Sequence, residues 1–248
     1  METDVGDARS DPPTGPGARV ATTAVTVAGA ALGAAFAGVT AVRGARPLHP
    51  DGAVLRVELA RHGSATATGC AWIDRPGVDT GRARLSRSIG LPAHLPDIQG
   101  LALTLDVPGG RADLLLATVG RGRVTRFVLT PHRAPSAGPW SSLFPYRAPS
   151  GLLLVGVLAA PRGLPSAPAE LAASLAAEPW DVTLAHASLT GRWHPFARAR
   201  IGGAVGPATD APVRFDPVLH PLPGLAVPPA LATLREPSYV SARRRPAR

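Results

Sequence analysis

The chain has 248 residues, is 45% hydrophobic and carries a formal charge of +9, which allows one sizeable core and makes a single domain with extensions the expectation. Every basic side chain is arginine, none clusters outside the terminal RRRPAR, and the eleven aromatic residues are too few for base stacking, so a nucleic-acid partner is not expected despite the charge. The single cysteine, Cys70, excludes an intramolecular disulfide and has no second cysteine to join it in a zinc site, so it reads as a packing thiol.

Residues 1–19 are polar, rich in Pro and Gly and without apolar periodicity, and read as a disordered tail. Residues 20–42 then run without a charge, long enough to cross a bilayer as a helix. The run holds one Leu, one Phe and five Val among many Ala, Gly and Thr, a composition that equally suits a soluble helix packed closely on a sheet. Both readings stay open: a cytoplasmic chain, or a membrane-associated one anchored through 20–42. A helix over residues 20–45 would lead directly into RPLHPDG, Arg46 to Gly52.

From Ala53 onward the period shifts toward two. AVLRVELARHG, GRARLSRSIG, IQGLALTLDV, RADLLLATVG, SGLLLVGVLAA, WDVTLAHASL and RWHPFARARIGG are short apolar or alternating runs punctuated by Gly and Pro. They predict a fold that is α+β but mainly β, a strongly bent antiparallel sheet or barrel within residues 46–240. Helix is expected in APAELAASLAAE, residues 167–178, and in a short C-terminal segment around PPALATLREPSY; residues 241–248 form a basic tail. FPYRAPSG reads as a turn or as a loop packed on the sheet, and RFDPVLHPLPGL as an extended connection along the barrel.

Motifs for nucleotide loops, zinc proteases and serine hydrolases are missing, and the seven histidines show no close pair at metal-ligand spacing. Six of them read as exposed or hydrogen-bonded loop residues. His49 is the one worth a chemical reading.

Several segments taken together resemble the haem-dependent catalase superfamily. Arg46, Leu48, His49 and Gly52 fall on that family's R-x-x-H-x-x-G segment, and Arg84, Leu85 and Ser86 on its R-F-S segment. Asp97, Gly100, Leu101 and Ala102 fall on the acidic glycine-containing turn and strand, and Asp113 and Leu114 on W-D-L. Near the C-terminus Arg235 and Tyr239 match the spacing of the R-x-F-x-Y helix, with Pro237 in place of the phenylalanine and V-S where the family has D-T.

The resemblance implies haem as cofactor, held by Tyr239 as iron ligand with Arg235 favouring the phenolate. It implies cofactor contacts from Leu48, and from Arg46 and Arg84 to the propionates. His49 would be the distal acid–base, oriented by Ser86, and the substrate hydrogen peroxide or an organic hydroperoxide. On the blander reading Arg46 and Arg84 are strand-edge charges, His49 staples a turn, and Tyr239 packs on the barrel. The chain has no asparagine, so the family's distal asparagine is absent; Ala117 and Thr118 lie near its position, and only Thr118 could supply a hydrogen bond there. Weak peroxidase activity is therefore the expectation. The alternatives are a catalase-like barrel that has lost haem and binds a small molecule, lipid or partner, and a phosphodiesterase-type hydrolase.

Overall fold

The computed structural model describes residues 52–160, 162–205 and 215–229. The expected helix at 20–42, the His49 segment before Gly52 and the Arg235–Tyr239 segment lie outside these residues. Among the described residues no helix is long and apolar enough to cross a membrane.

Among the described residues nine strands run in chain order: β1 Gly52–Arg61, β2 Gly77–Arg87, β3 Gln99–Val107, β4 Gly110–Thr118, β5 Trp140–Ser141, β6 Tyr146–Ala148, β7 Gly151–Leu158, β8 Trp180–Ser188 and β9 His194–Ala204. Two helices accompany them, α1 Ala71–Asp74 and α2 Pro168–Ala177. All pairings are antiparallel: β1 to β4 form a meander, β7 to β9 form another, and β9 pairs with β1. The circuit closes through β5, whose residues pair with Ala117 and Thr118 of β4 on one side and with Gly156 and Val157 of β7 on the other. The result is a closed eight-strand barrel, with β6 outside the circuit on the same edge of β7.

Alternation builds the core. Ala53, Leu55, Val57 and Leu59 of β1 point inward, as do Ala83 and Leu85 of β2, Leu101, Leu103 and Leu105 of β3, and Ala112, Leu114 and Leu116 of β4. All seven alternating segments read from the sequence are strands, because a residue period of two puts a whole apolar set on one face. The expected helix at 167–178 is α2, which packs Leu171 and Leu175 into the core.

The exceptions are instructive. FPYRAPSG is neither a bare turn nor a loop: Tyr146–Ala148 is β6, hairpinned onto β7, with Tyr146 buried in the core. Residues 215–225 of the proline-rich stretch do run as a connection, without strand or helix. It touches β4 where the Asp113 carboxylate accepts the Asp216 N–H at 2.7 Å, then Cys70, whose thiol donates to the Pro223 carbonyl at 2.9 Å, then β6, where Arg147 and Ala226 exchange backbone bonds. Leu222 and Leu225 join the core on the way. Cys70 is thus a packing residue, and burial pushes its thiol pKa up, away from reactivity.

One end of the barrel is polar and buried. Asp79 Oδ2 accepts from Arg61 Nε at 2.7 Å and from Trp72 Nε1 at 3.0 Å, while its second oxygen has no partner. Nearby, the β8–β9 register sets His186 directly opposite His194, and the rings stack with centroids 5.4 Å apart. His186 Nε2 shares a 2.7 Å hydrogen bond with Ser64 Oγ, and His194 Nδ1 a 3.0 Å bond with Thr66 Oγ1. The expectation of six loop histidines therefore fails at these two, which are strand residues, and His186 is buried. Burial holds the His186 pKa below the ordinary histidine range; the neighbouring His194 lowers it further, while Asp74 and a backbone bond to Thr66 oppose the shift.

Two measurements test this arrangement. Asp79→Ala leaves the largely buried Arg61 guanidinium and the Trp72 N–H without their shared acceptor, and should lower unfolding free energy by about 3–5 kcal/mol in urea denaturation. For His186, the unfolded chain takes up a proton near pH ~6.5 while the folded chain resists until a lower pH. Stability is full above that range and is lost as pH falls through it. His186→Gln should flatten the fall of Tm between about pH 7.5 and 5, leaving the smaller slope due to His132, whose pKa burial also lowers. An unchanged slope would contradict the assignment.

Candidate functional site

The barrel wall has a second face. Residues of β1 to β4 that alternate with the core set point away from the interior, and their registers align them in rows across the strands. One row runs Gly52, Ser86, Gly100, Ala117 and Ser141; the next runs Val54, Arg84, Ala102 and Leu115. Except for Arg84 and Leu115 the side chains are small, and Val54, Ser86 and Ser141 are buried although they face outward.

Gly52 and Ser86 are direct partners, so the end of RPLHPDG and the serine of RLSRSIG meet at one point. The Arg84 side chain lies across Gly52. A Cβ at position 52 would sit 2.8 Å from the Arg84 guanidinium carbon and 2.9 Å from the Leu85 carbonyl oxygen, so only glycine admits the arginine here. Ser86 Oγ donates to the Gly100 carbonyl at 3.4 Å, a long bond. Arg46, Leu48, His49, Arg235 and Tyr239 lie outside the described residues, and the structure brings together Arg84, Ser86 and Gly52 from the two motifs.

The remaining motif residues are structural. Asp97 is fully buried and accepts the N–H groups of Ile89 and Leu91, while Arg87 satisfies the carbonyls of Leu91, Pro92 and Leu95 and also reaches Ser166; together they pin the loop between β2 and β3. Asp113 accepts two bonds from Arg111, in addition to the Asp216 N–H. Thr118 corrects an expectation. Its hydroxyl donates to the Thr130 carbonyl at 2.8 Å and accepts the Gln99 N–H at 3.1 Å, so it is committed to fixing the loop after β4 and is not a donor for a ligand. Ala117, on the outward row, has no polar group to offer.

Arg126 escaped the sequence reading. It is 2% exposed, its Nε and Nη1 lack hydrogen-bond partners, and it lies 4.8 Å above the Trp193 ring, whose π face supplies part of the missing counter-charge. Trp193 in turn rests on Gly156, where a Cβ would collide with the indole at 2.7 Å. No local pattern in an arginine-rich chain separates this arginine from its surface neighbours.

No family model matches the chain, and no curated protein does. Solved structures do match. A bacterial catalase superposes with a TM-score of 0.53 at 14% identity, over 80% of this chain and 57% of that one. Catalase A from Saccharomyces cerevisiae superposes with a TM-score of 0.56 at 13% identity, over 80% of this chain and 60% of that one. The chain thus spans less than two thirds of the length of these catalases. At such identity the likeness is one of fold: this chain forms a closed antiparallel barrel of the catalase-like type.

Proposed function

We propose that the chain is a small haem protein with weak peroxidase activity toward hydrogen peroxide or organic hydroperoxides. The observation that carries this reading is the pairing of Gly52 with Ser86 under the Arg84 side chain, which joins two separate sequence segments at one point of the outer barrel face. The outward rows fit the group. Gly52, Gly100, Ala102 and Ala117 present small or no side chains, as the contact face of a flat apolar ring requires, and the permanently charged, planar guanidinium of Arg84 suits a carboxylate at its rim.

Haem would supply the iron redox chemistry. Tyr239 would hold it as phenolate with Arg235 four residues earlier, and Arg46, Leu48 and Arg84 would contact its edge. His49, three residues before Gly52, would take a proton from one peroxide oxygen and return it to the other, with Ser86 fixing its ring. Among the described residues near the position of the family's asparagine, the apolar Ala117 and the committed Thr118 hydroxyl supply no donor to polarise the O–O bond. A donor of that kind is worth roughly 2–4 kcal/mol of barrier, so turnover should be slow. The same two residues favour a second reading, a catalase-like barrel that binds a small molecule or partner without haem.

Haem titration of the full-length chain decides between them. A Soret band that forms with stoichiometric haem, and that Tyr239→Phe weakens, supports the first reading; no band after reconstitution overturns it. His49→Ala should keep the band while lowering peroxidase turnover by about 100-fold or more, the usual effect of a positioned acid–base. Unchanged turnover would assign His49 to packing.

A further inference from the structure

Farther along the same outer face, the small residues give way to charge. A groove of about 800 Å³ is lined by Arg56, Glu58, Arg82, Asp106, Arg111 and Arg200, with Thr80 and Thr104 between them and Gly81 and Gly202 in its floor. That volume is in the range of small-ligand sites. Its arrangement is unusual for a sheet surface. Arg56 of β1 is the direct cross-strand partner of Arg82 of β2, and like charges placed so repel. Other pairs around the groove are matched: Glu58 faces Arg200, and Asp106 faces Arg111.

Neither Arg56 nor Arg82 has an ion-pair partner among the described residues, whereas Arg111 bonds Asp113 at 2.8 Å and Arg200 lies 3.7 Å from Asp181, both acids outside the groove lining. The neighbour of Arg56 on β9 is Gly202, against which Pro179 packs, and the neighbour of Arg82 on β3 is Thr104, so neither arginine faces an acid across the strands. Two exposed guanidinium forks held side by side on rigid strands, with a threonine hydroxyl in the same row, suit an oxyanion that accepts from both.

We propose that this groove is a binding site for a small oxyanion carrying two or more negative charges, a phosphate or a polycarboxylate that Arg56 and Arg82 grip together. The occupant supplies the counter-charge that the Arg56–Arg82 pair lacks. Glu58 and Asp106, in the next row along the strands, repel a longer polyanion and restrict the site to a compact group. The site is separate from the haem reading and does not depend on it.

Calorimetric titration of the full-length chain with pyrophosphate and with citrate, at constant ionic strength set by chloride, tests the proposal. Saturable binding of one ligand per chain is expected, with Arg56→Gln and Arg82→Gln each weakening it at least tenfold. Arg198→Gln, an exposed β9 arginine outside the groove, should leave it unchanged. Binding of pyrophosphate alone assigns a phosphate ligand, of citrate alone a carboxylate ligand, and of both a general oxyanion site. Because each glutamine variant also relieves the like-charge pair, ligand-free Tm should rise in both while stabilisation by ligand is lost. Absence of binding at millimolar concentration overturns the proposal, as does equal weakening by Arg198→Gln.

Discussion

The architecture depends on a strand of two residues. Without Trp140 and Ser141 the chain would offer one open antiparallel sheet with free edges at β4 and β7; with them, the circuit closes and eight strands enclose the core. So short a strand cannot be held by its own ladder. It is held by what surrounds it: the Trp140 side chain is fully buried in the core, Ser141 Oγ accepts the Leu143 N–H, and Gly156 has no side chain to keep the seam from Trp193. Closure rests on burial more than on backbone pairing, which is why packing of a single indole matters to strands far away in sequence.

How much of this was legible follows from the length of each element. The seven long strands carry enough alternating residues for their period to show, and their inward sets are the apolar residues that the sequence marks. β5 and β6, at two and three residues, are too short for a period of two to repeat and could be found only by knowing which edges needed covering. The C-terminal connection was readable as irregular because its prolines remove donors, yet nothing local showed that Leu222 and Leu225 would enter the core.

The site was partly legible for a related reason. Motif order along the chain pointed to Gly52, Arg84 and Ser86, and strand register brought them together. Register also created what spacing could not reveal. His186 and His194 meet because a hairpin folds them opposite one another, Arg56 and Arg82 because two strands align, and Thr118 turns from a candidate donor into a loop anchor once Thr130 lies beside it. Residue type announces chemistry; the pairing partner decides whether that chemistry is available.

The composition of the outer groove has a consequence for control. All of its cations are arginines, in a chain with no lysine. Guanidinium groups keep their charge across the whole range in which a protein stays folded. They also present no amine for acylation, the commonest enzymatic way of erasing a positive charge. The arginines of the groove therefore keep their charge under acidic conditions and under acetyl transfer. Its positive field is weakened by ionic strength and by competing anions, which makes occupancy sensitive to solution composition.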